Sequence, residues 1–499
     1  MPADRYDDVP YTDHAYAESH PDRLAVVARL SGWEPAPVDR ARVLEIGCGR
    51  GGNLAPMAAS LPRATLVGVD ASARQVGDAT RVIEGAGLTN VRVVHGAIEA
   101  ARFDDASYDF IVCHGVFSWV PIATRRALLS GIARWLAPGG VAYVSANVAP
   151  GWYARLAARD WLRFATTSLG VASSADSARA SLAWLGGAIS PELRAYRAEI
   201  EAVRARLAQT DPAYLVHEYL EPEHRPELVT TILAEAGFAG LRYLGDAIPQ
   251  ATAIELLPDD VAARVAGLDV AAAQQLVDFV QNTSFRRMLF VRDDAARERR
   301  WTSPPRLDAR AVRRLGVASR LRPREPASAA ARSEVFEGPD GAVALIDRGA
   351  RAALHHLARA APRAVSWADI ARAAGAQGDA EAALATEIFD LWMSTGGIDL
   401  HAHEPAMTTI VSTRPVACPV ARWRAAHGGP ITNLWHQEVV LPEALLSSVL
   451  ARLDGTRTLD ELTADAAAWV DLARASPDER RRLVAASAEL LAASALLRS

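Results

Sequence analysis

Two acidic residues and a glycine-rich turn form the part of this chain that is best suited to chemistry. An apolar run that contains Glu45 leads into the turn Gly47-Cys48-Gly49-Arg50-Gly51, and a second apolar run, residues 65–69, ends at Asp70. Glycines let the backbone turn sharply and approach a ligand closely. An acid at the end of the second strand is suited to bind the hydroxyl groups of a ribose. The pattern predicts a nucleoside-binding site at the end of a βαβ unit.

The spacing of the glycines distinguishes between two classes of cofactor. A dinucleotide site needs G-x-G-x-x-G, with a helix N-terminus facing the pyrophosphate, whereas this chain has Glu45-x-Gly47-x-Gly49-x-Gly51. A carboxylate before the first glycine would repel a pyrophosphate, but it would attract the ammonium of S-adenosylmethionine (AdoMet). We therefore expect an AdoMet site in which Glu45 and the turn hold the methionine end. A glycine turn in some other Rossmann-like domain is the alternative.

Further cofactor residues are expected just after the ends of the predicted strands, and in the N-terminal segment that precedes the first strand. Ala71 and Gln75 would flank the ribose. The sequence offers no acid at Ala97, just after the third predicted strand, so backbone groups near Ala97 and Ile98 would recognise the adenine. The aromatic and acidic run 6–16 would fold over the cofactor as a cap, or else form a disordered tail. The expected cofactor-binding residues are Tyr11, Glu45, Gly47, Cys48, Gly49, Gly51, Asn53, Asp70, Ala71, Gln75, Gly96, Ala97, Ile98, His114 and Gly115.

Methyl transfer mainly requires that donor and acceptor are positioned and that the acceptor lone pair is free. His114 follows the fourth predicted strand, where ligands bind in open α/β sheets, and Trp119 could hold a cation against its ring. His217 and Glu218 could orient an amine or take its proton. A structural histidine, a core tryptophan and a surface helix end are the alternatives. The expected catalytic residues are His114, Trp119, Asn147, Trp152, His217 and Glu218.

The elements that would position these residues alternate between strands and helices. This order predicts a doubly wound, parallel Rossmann-like sheet. Two later runs, residues 241–244 and 288–291, would close the sheet as antiparallel strands, with one helix over about 259–281 between them. The predicted core strands are 42–46, 65–70, 91–94, 108–113 and 141–145.

We expect six segments along the chain. The cofactor-binding core is followed by a helical insertion or lid, by the end of the core sheet with a regulatory-type region, and by a linker dense in arginine, proline and serine. Two winged-helix-like α+β modules complete the chain, each with three helices. The respective boundaries are 1–150, 151–224, 225–296, 297–332, 333–412 and 413–499.

Composition excludes several function classes. The chain has 499 residues, half of them hydrophobic, a net charge of −5, and only three cysteines, which form no CxxC pair. The absence of a long apolar run and of a basic, apolar start predicts a soluble, reduced, cytoplasmic protein without membrane contact. The negative net charge does not indicate a basic surface that would bind nucleic acid. The pairs His355/His356 and His401/His403 lack further metal ligands, so no metal is expected.

All 54 basic residues are arginine, because the sequence contains no lysine. A GC-rich genome would explain this composition together with the abundant alanine. Avoidance of self-modification by a lysine-modifying enzyme is the alternative.

Several motifs together resemble a known family. The glycine turn followed by Gly52-Asn53-Leu54, the run 114–121, Pro150-Gly151-Trp152 and the run 217–220 occur in one chain, after Tyr-Asp-Asp-Val-Pro-Tyr at 6–11. As a set they resemble bacterial class I AdoMet-dependent methyltransferases with a methyltransferase regulatory domain, a group that includes protein-lysine methyltransferases with C-terminal winged-helix-like domains. The resemblance is strongest over residues 1–150 and weaker beyond 330.

The resemblance implies AdoMet as cofactor and S-adenosylhomocysteine (AdoHcy) as product. N-methylation of a protein or peptide, with lysine favoured, is the expected function. Methylation of a small metabolite or natural-product intermediate is the alternative, and an AdoMet-sensing DNA-binding protein is a third hypothesis. The expected partners are a protein, peptide or small-molecule acceptor, and a second copy in a homodimer.

Overall fold

The computed structural model describes residues 13–293, 306–325 and 332–499, except positions 266, 470 and 471. The expected cofactor residue Tyr11 and most of the proposed N-terminal cap lie outside the described residues.

A seven-stranded sheet forms the centre of the molecule. Strands β1 to β5 are parallel, while β7 runs antiparallel to both β5 and β6, in the order β3-β2-β1-β4-β5-β7-β6. Near-continuous apolar runs form the parallel strands because helices cover both faces. The predicted fold class is confirmed. The strands are β1 Arg42–Ile46, β2 Thr65–Asp70, β3 Val91–His95, β4 Tyr108–Cys113, β5 Leu136–Asn147, β6 Leu241–Asp246 and β7 Phe285–Arg292.

Strand β5 is longer than the predicted 141–145. It includes the turn-like Pro138-Gly139-Gly140, because the register against β4 shifts between Tyr108 and Phe110 and accommodates the extra residues. Four helices accompany the first five strands, and Ser72 caps the third by accepting from the Gln75 amide. These helices are α1 Pro21–Leu30, α2 Leu54–Ser60, α3 Ala73–Gly85 and α4 Ile122–Trp135.

The helical insertion follows β5 and has its own small core. Its four helices bury apolar side chains against one another, among them Leu162, Leu182, Ile200 and Leu215. Arg159 joins the first helix to the end of the fourth by donating to the Tyr219 carbonyl at 3.1 Å. The helices are α5 Tyr153–Ser168, α6 Ala175–Ala188, α7 Arg194–Ala208 and α8 Pro212–Leu220.

The prediction of one helix over about 259–281 is wrong. The chain forms α9 Val229–Phe238 before β6, and then two helices, α10 Asp259–Val265 and α11 Val270–Gln281. Asp269 begins the second of these, because its side chain accepts from the Ala272 amide and caps the helix.

Residues 306–325, within the expected linker, are structured. Strand β8 pairs antiparallel with β12, so this stretch packs into the module that follows. Helix α1 also contacts this module, because Asp22 accepts from the amides of Ala402 and His403 at 2.7 and 2.8 Å. The elements are β8 Gly316–Ser319, β9 Arg322–Pro323, β10 Glu334–Gly338, β11 Gly341–Leu345, α12 Arg348–Ala360, α13 Trp367–Ala374, α14 Asp379–Thr395 and β12 Ile398–His401.

The last module packs directly on the sheet domain. One hydrophobic cluster runs from Val43 and Leu54 in the sheet domain to Val420 and Val449 in the module. No helix in the described part of the chain combines the length and the apolar run needed to cross a membrane. The elements are α15 Pro419–His427, β13 Ile431–Thr432, β14 Glu438–Val439, α16 Ala444–Leu450, α17 Leu459–Asp465 and α18 Pro477–Ala493.

Candidate active site

A cavity of about 820 Å³ opens along the carboxyl ends of the parallel strands. Ligands bind at this edge in open α/β sheets. We call the part formed by the loops after β1, β2 and β3 the cofactor end, and the part formed by β5, β7 and the insertion the acceptor end. The expected residues that line the cavity are Glu45, Gly47, Cys48, Gly49, Asn53, Asp70, Ala71, Gln75, Gly96, Ala97, Ile98, His114, Gly115, Trp119, Asn147, Trp152, His217 and Glu218.

The glycine turn leaves the backbone at Gly47 exposed to the cavity, because a side chain would not fit at this position. Gly47 has φ +75°, and a Cβ on it would lie 2.3 Å from Cγ2 of Val116. Gly51 is different: it does not line the cavity, and a Cβ on it would lie 3.2 Å from Cβ of Ala79 on α3. Gly51 therefore permits the close packing of the turn on a helix.

Two carboxyl groups, those of Glu45 and Asp70, line the cofactor end. Burial raises the pKa of Glu45 to about 8, with Asp70 and Asp13 adding to the effect and a hydrogen bond from Asn53 opposing it. One oxygen of Glu45 accepts from Asn53 Nδ2 at 2.7 Å, whereas its buried Oε2 has no hydrogen-bond partner among the described residues. Once the carboxyl group has lost its proton, this unpartnered oxygen at the cavity wall is suited to bind a cationic ligand group.

Asp70 is held firmly at the end of β2. It accepts from the Gly49 amide at 2.8 Å and from the Ser72 amide at 2.9 Å. Burial raises its pKa, while these two hydrogen bonds act in the opposite direction. The carboxylate is thus fixed between the glycine turn and the start of α3, as a ribose-binding acid requires.

His114 lies between the two ends, since β4 is flanked by β1 and β5. Its Nδ1 is 2.8 Å from the hydroxyl of Tyr143, and the Tyr16 ring stacks on it. Burial, with a smaller contribution from the Arg287 guanidinium, lowers the pKa of His114 to about 3. The imidazole is therefore neutral near pH 7 and does not repel a cationic ligand.

Residues 13–16 lie over the glycine turn. A Cβ on Gly52 would be 2.4 Å from Oδ1 of Asp13. Asp13 pairs with Arg424 of the last module, and His14 lies 2.9 Å from Glu438 of the same module. The chain before α1 thus connects the cofactor end to the C-terminal module.

The insertion supplies the charged wall of the acceptor end. Glu218 on α8 lies 8% exposed, and burial raises its pKa to about 7 although Arg155, Arg159 and Arg206 act to lower it. The Tyr214 hydroxyl forms a hydrogen bond with it. His217 is also buried, with Nδ1 3.5 Å from Glu221. A carboxyl group with a pKa near 7 can exchange a proton under physiological conditions.

Aromatic rings form the rest of the acceptor end. Trp119 and Trp152 both pack on His224, at ring-centroid distances of 4.4 and 4.3 Å. His224 lies 2.9 Å from the Asn147 amide and accepts from Arg159 Nε at 3.2 Å. Trp152 is only 1% exposed, so it mainly supports the wall.

Sequence reasoning missed several residues of the cavity wall. They come from α4, from helices of the insertion and from the start of β7, and no short spacing links them to the glycine turn. Described residues within the cavity and elsewhere include no group of three or more His, Cys, Asp or Glu that could hold a metal ion. The missed wall residues include Thr124, Arg155, Arg206, Tyr214, Ser284 and Phe285, whereas Asp13, His14 and Tyr16 belong to the run 6–16 that was expected to form a cap.

Three family models match the chain. The model described as a methyltransferase domain matches residues 43–140, and that of a predicted methyltransferase regulatory domain matches 211–292. The model of the PKMT C-terminal winged helix domain matches 413–497. These matches confirm the resemblance found in the sequence.

Curated relatives match part of the chain. An uncharacterized protein of Rickettsia prowazekii (strain Madrid E) is 31% identical over 291 residues, which are 58% of this chain and 53% of that protein. An uncharacterized protein of Synechocystis is 26% identical over 305 residues, 58% of each chain. The chain therefore spans little more than half the length of these two relatives.

A solved structure shares the fold over its full length. PKMT2 from Rickettsia typhi in complex with AdoHcy matches with a TM-score of 0.84 and 23% identity, covering 98% of this chain and 100% of that one. A second structure of PKMT2 gives a TM-score of 0.83. The family models therefore place a methyltransferase domain, a predicted methyltransferase regulatory domain and a PKMT-type C-terminal winged-helix domain in this chain, and the solved structure shows that the chain shares the fold of PKMT2.

Proposed function

We propose that this chain is an AdoMet-dependent N-methyltransferase that acts on a protein or peptide, with lysine as the favoured acceptor. One observation carries the proposal: a single cavity joins the carboxylates Glu45 and Asp70 to the carboxyl group of Glu218. The PKMT model matched by the last module supports a protein acceptor.

The cofactor end fits AdoMet. The unpartnered Oε2 of Glu45 suits the ammonium group, Asp70 suits the ribose hydroxyls, and the bare backbone at Gly47 permits close approach. Gly96, Ala97 and Ile98 follow β3 and would flank the adenine. When bound, AdoMet supplies the methyl group, which is transferred to the acceptor with AdoHcy as the other product.

The acceptor end fits an amine. A lysine amine, with an ordinary pKa of about 10.4, must lose a proton before its lone pair can attack. Glu218 would attract the ammonium, orient it and take the proton, while Trp119 and Phe285 provide aromatic surface beside a cation. The neutral His114 adds no positive charge to a site that would receive two cations.

Calorimetry with AdoHcy on the purified chain tests the cofactor assignment first. Radiolabelled AdoMet with a cell lysate then tests the acceptor, with hydrolysis of the labelled protein to identify the methylated amino acid. Because the chain contains no lysine, methyl-lysine in the hydrolysate reports an acceptor and not the enzyme. Label in lysine residues of protein bands is the expected result. Absence of AdoHcy binding would refute the whole proposal.

A small metabolite is the second candidate acceptor. The same cavity extends beyond the cofactor end to residues of the insertion, and its volume of about 820 Å³ also leaves room for a small amine. Label found only in molecules that pass a size-exclusion filter would support this candidate and contradict the protein acceptor. A DNA-binding role is less favoured, because arginines and acids nearly balance in residues 300–499.

A further inference from the structure

Asn53 connects three distant segments of the chain at the cofactor end. Its Oδ1 accepts from the Tyr16 amide at 2.9 Å, and its Nδ2 donates to Glu45 at 2.7 Å and to Ser19 at 3.0 Å. The backbone N–H of Tyr16 can only donate, so the amide oxygen must face it. The orientation of the Asn53 amide is therefore unambiguous, and its NH₂ group must point to Glu45.

The third segment is the C-terminal winged-helix module. Nε2 of His436, in the turn between β13 and β14, lies 2.7 Å from Oδ1 of Asn53. His436 is fully buried, and burial lowers its pKa well below the ordinary value, so the ring is neutral. The Asn53 oxygen can only accept, which places the single ring proton on Nε2.

The backbone and the ring of His436 are both in unusual states. Its φ is +59°, in the left-handed region that non-glycine residues rarely adopt. Its Nδ1 is buried and has no hydrogen-bond partner within the described ranges. Both features are unfavourable for folding, and residues with such strain often cluster at functional sites. The one polar contact of the His436 side chain, in the described structure, is with Asn53.

We infer that His436 is a positioning residue of the cofactor site: it fixes the Asn53 amide, which in turn holds Glu45 with its second oxygen free for the ammonium of AdoMet. The inference rests on the proposed function, since it assigns Glu45 to the cofactor. It means that the winged-helix module completes the methyltransferase site from outside the Rossmann-like domain.

The first test compares two variants of the same turn in the full chain. The asparagine in His436→Asn tolerates a left-handed backbone, but its side chain is too short to reach Asn53. Trp435→Phe is the matched control, because the Trp435 side chain donates to the Pro362 carbonyl at 2.8 Å and not to Asn53. Calorimetry should show AdoHcy binding about five- to tenfold weaker in His436→Asn, as expected for one lost hydrogen bond. Trp435→Phe should bind within about twofold of the parent.

A double-mutant cycle separates positioning from general support of the fold. If His436 acts through Asn53, His436→Asn should cause no further loss of AdoHcy affinity in an Asn53→Ala background. Additive losses, or unchanged affinity in His436→Asn, would overturn the inference. Failure of the parent chain to bind AdoHcy would instead refute the proposed function. Thermal melting of each variant identifies any that fail to fold, and Asn53→Ala alone then tests whether Glu45 needs this support.

Discussion

The phenol ring of Tyr16 lies flat on the imidazole of His114, with ring centroids 3.6 Å apart and 18° between the planes. This stack joins the chain before α1 to the end of β4, at the middle of the cavity. The Tyr16 backbone also donates to Asn53, so one residue contacts both the central imidazole and the support of Glu45.

We expect Tyr16→Phe to retain AdoHcy affinity within about twofold, because phenylalanine keeps the stack. Tyr16→Ala should bind about two- to tenfold more weakly, since an aromatic pair contributes about 0.5–1.5 kcal/mol beyond its buried area. Calorimetry measures both. Equal affinity of the two variants would show that the stack does not shape the cofactor end.

Asp70→Ala should weaken AdoHcy binding at least tenfold, because the ribose hydroxyls would lose a charged acceptor. Asp109→Ala is the matched control. Asp109 is also partnered, with Arg42 at 2.9 Å, but it lies near the start of β4, away from the carboxyl edge. Similar losses in the two variants would indicate damage to the sheet and would contradict the ribose assignment.

AdoHcy binding should strengthen as the pH rises from 6 to 8. Burial places the pKa of Glu45 at about 8, so below that pH the free carboxyl is protonated and must lose its proton to pair with the ammonium. The affinity should therefore rise by up to about tenfold for each pH unit and level off near the pKa. Glu45→Gln should bind weakly and lose this dependence. A flat profile in the parent chain would contradict the role of Glu45.

Glu218→Gln should lower kcat about 100-fold and leave AdoHcy affinity within about twofold, because Glu218 acts on the acceptor amine. In the parent chain, the raised pKa of Glu218 should make the rate depend on pH near 7. The variant should lose this pH dependence. Glu201→Gln, at an exposed position on α7, is the control. Methyl incorporation into acceptor protein measures the rate, and an unchanged rate in Glu218→Gln would remove this residue from the mechanism.

Alanine substitutions at two glycines with positive φ distinguish the effect of side-chain crowding from the effect of backbone strain. Gly47→Ala would place its Cβ 2.3 Å from Val116, whereas the Cβ in Gly115→Ala would meet nothing within 4 Å. Both substitutions strain the backbone by a similar amount. We therefore expect Gly47→Ala to lose more stability and more AdoHcy affinity than Gly115→Ala, in thermal melting and calorimetry. The reverse order would show that crowding against Val116 does not decide the stability of this turn.

Local patterns predicted the sheet and most of the cofactor end. The glycine turn, Asp70 and the capping residue Ser72 lie close together along the chain, within one βαβ unit. Their relative positions in the structure can therefore be predicted from their spacing in the sequence. The division of 259–281 into two helices was missed because the cap at Asp269 interrupts an otherwise apolar helical pattern. Arg155, Tyr214 and His436 could not be found in this way. Their positions depend on how distant segments pack, which no local periodicity records.

The hydrogen bond between Asn53 and His436 joins residues 383 positions apart. Domains generally fold from the N-terminus as a chain is synthesised, so the parallel sheet can form while the last module is still on the ribosome. The Asn53 amide reaches its final set of partners only after that module has emerged and folded. Full organisation of the carboxyl group beside the glycine turn therefore has to wait for the folding of residues 413–499, and a chain truncated before this module would not achieve it.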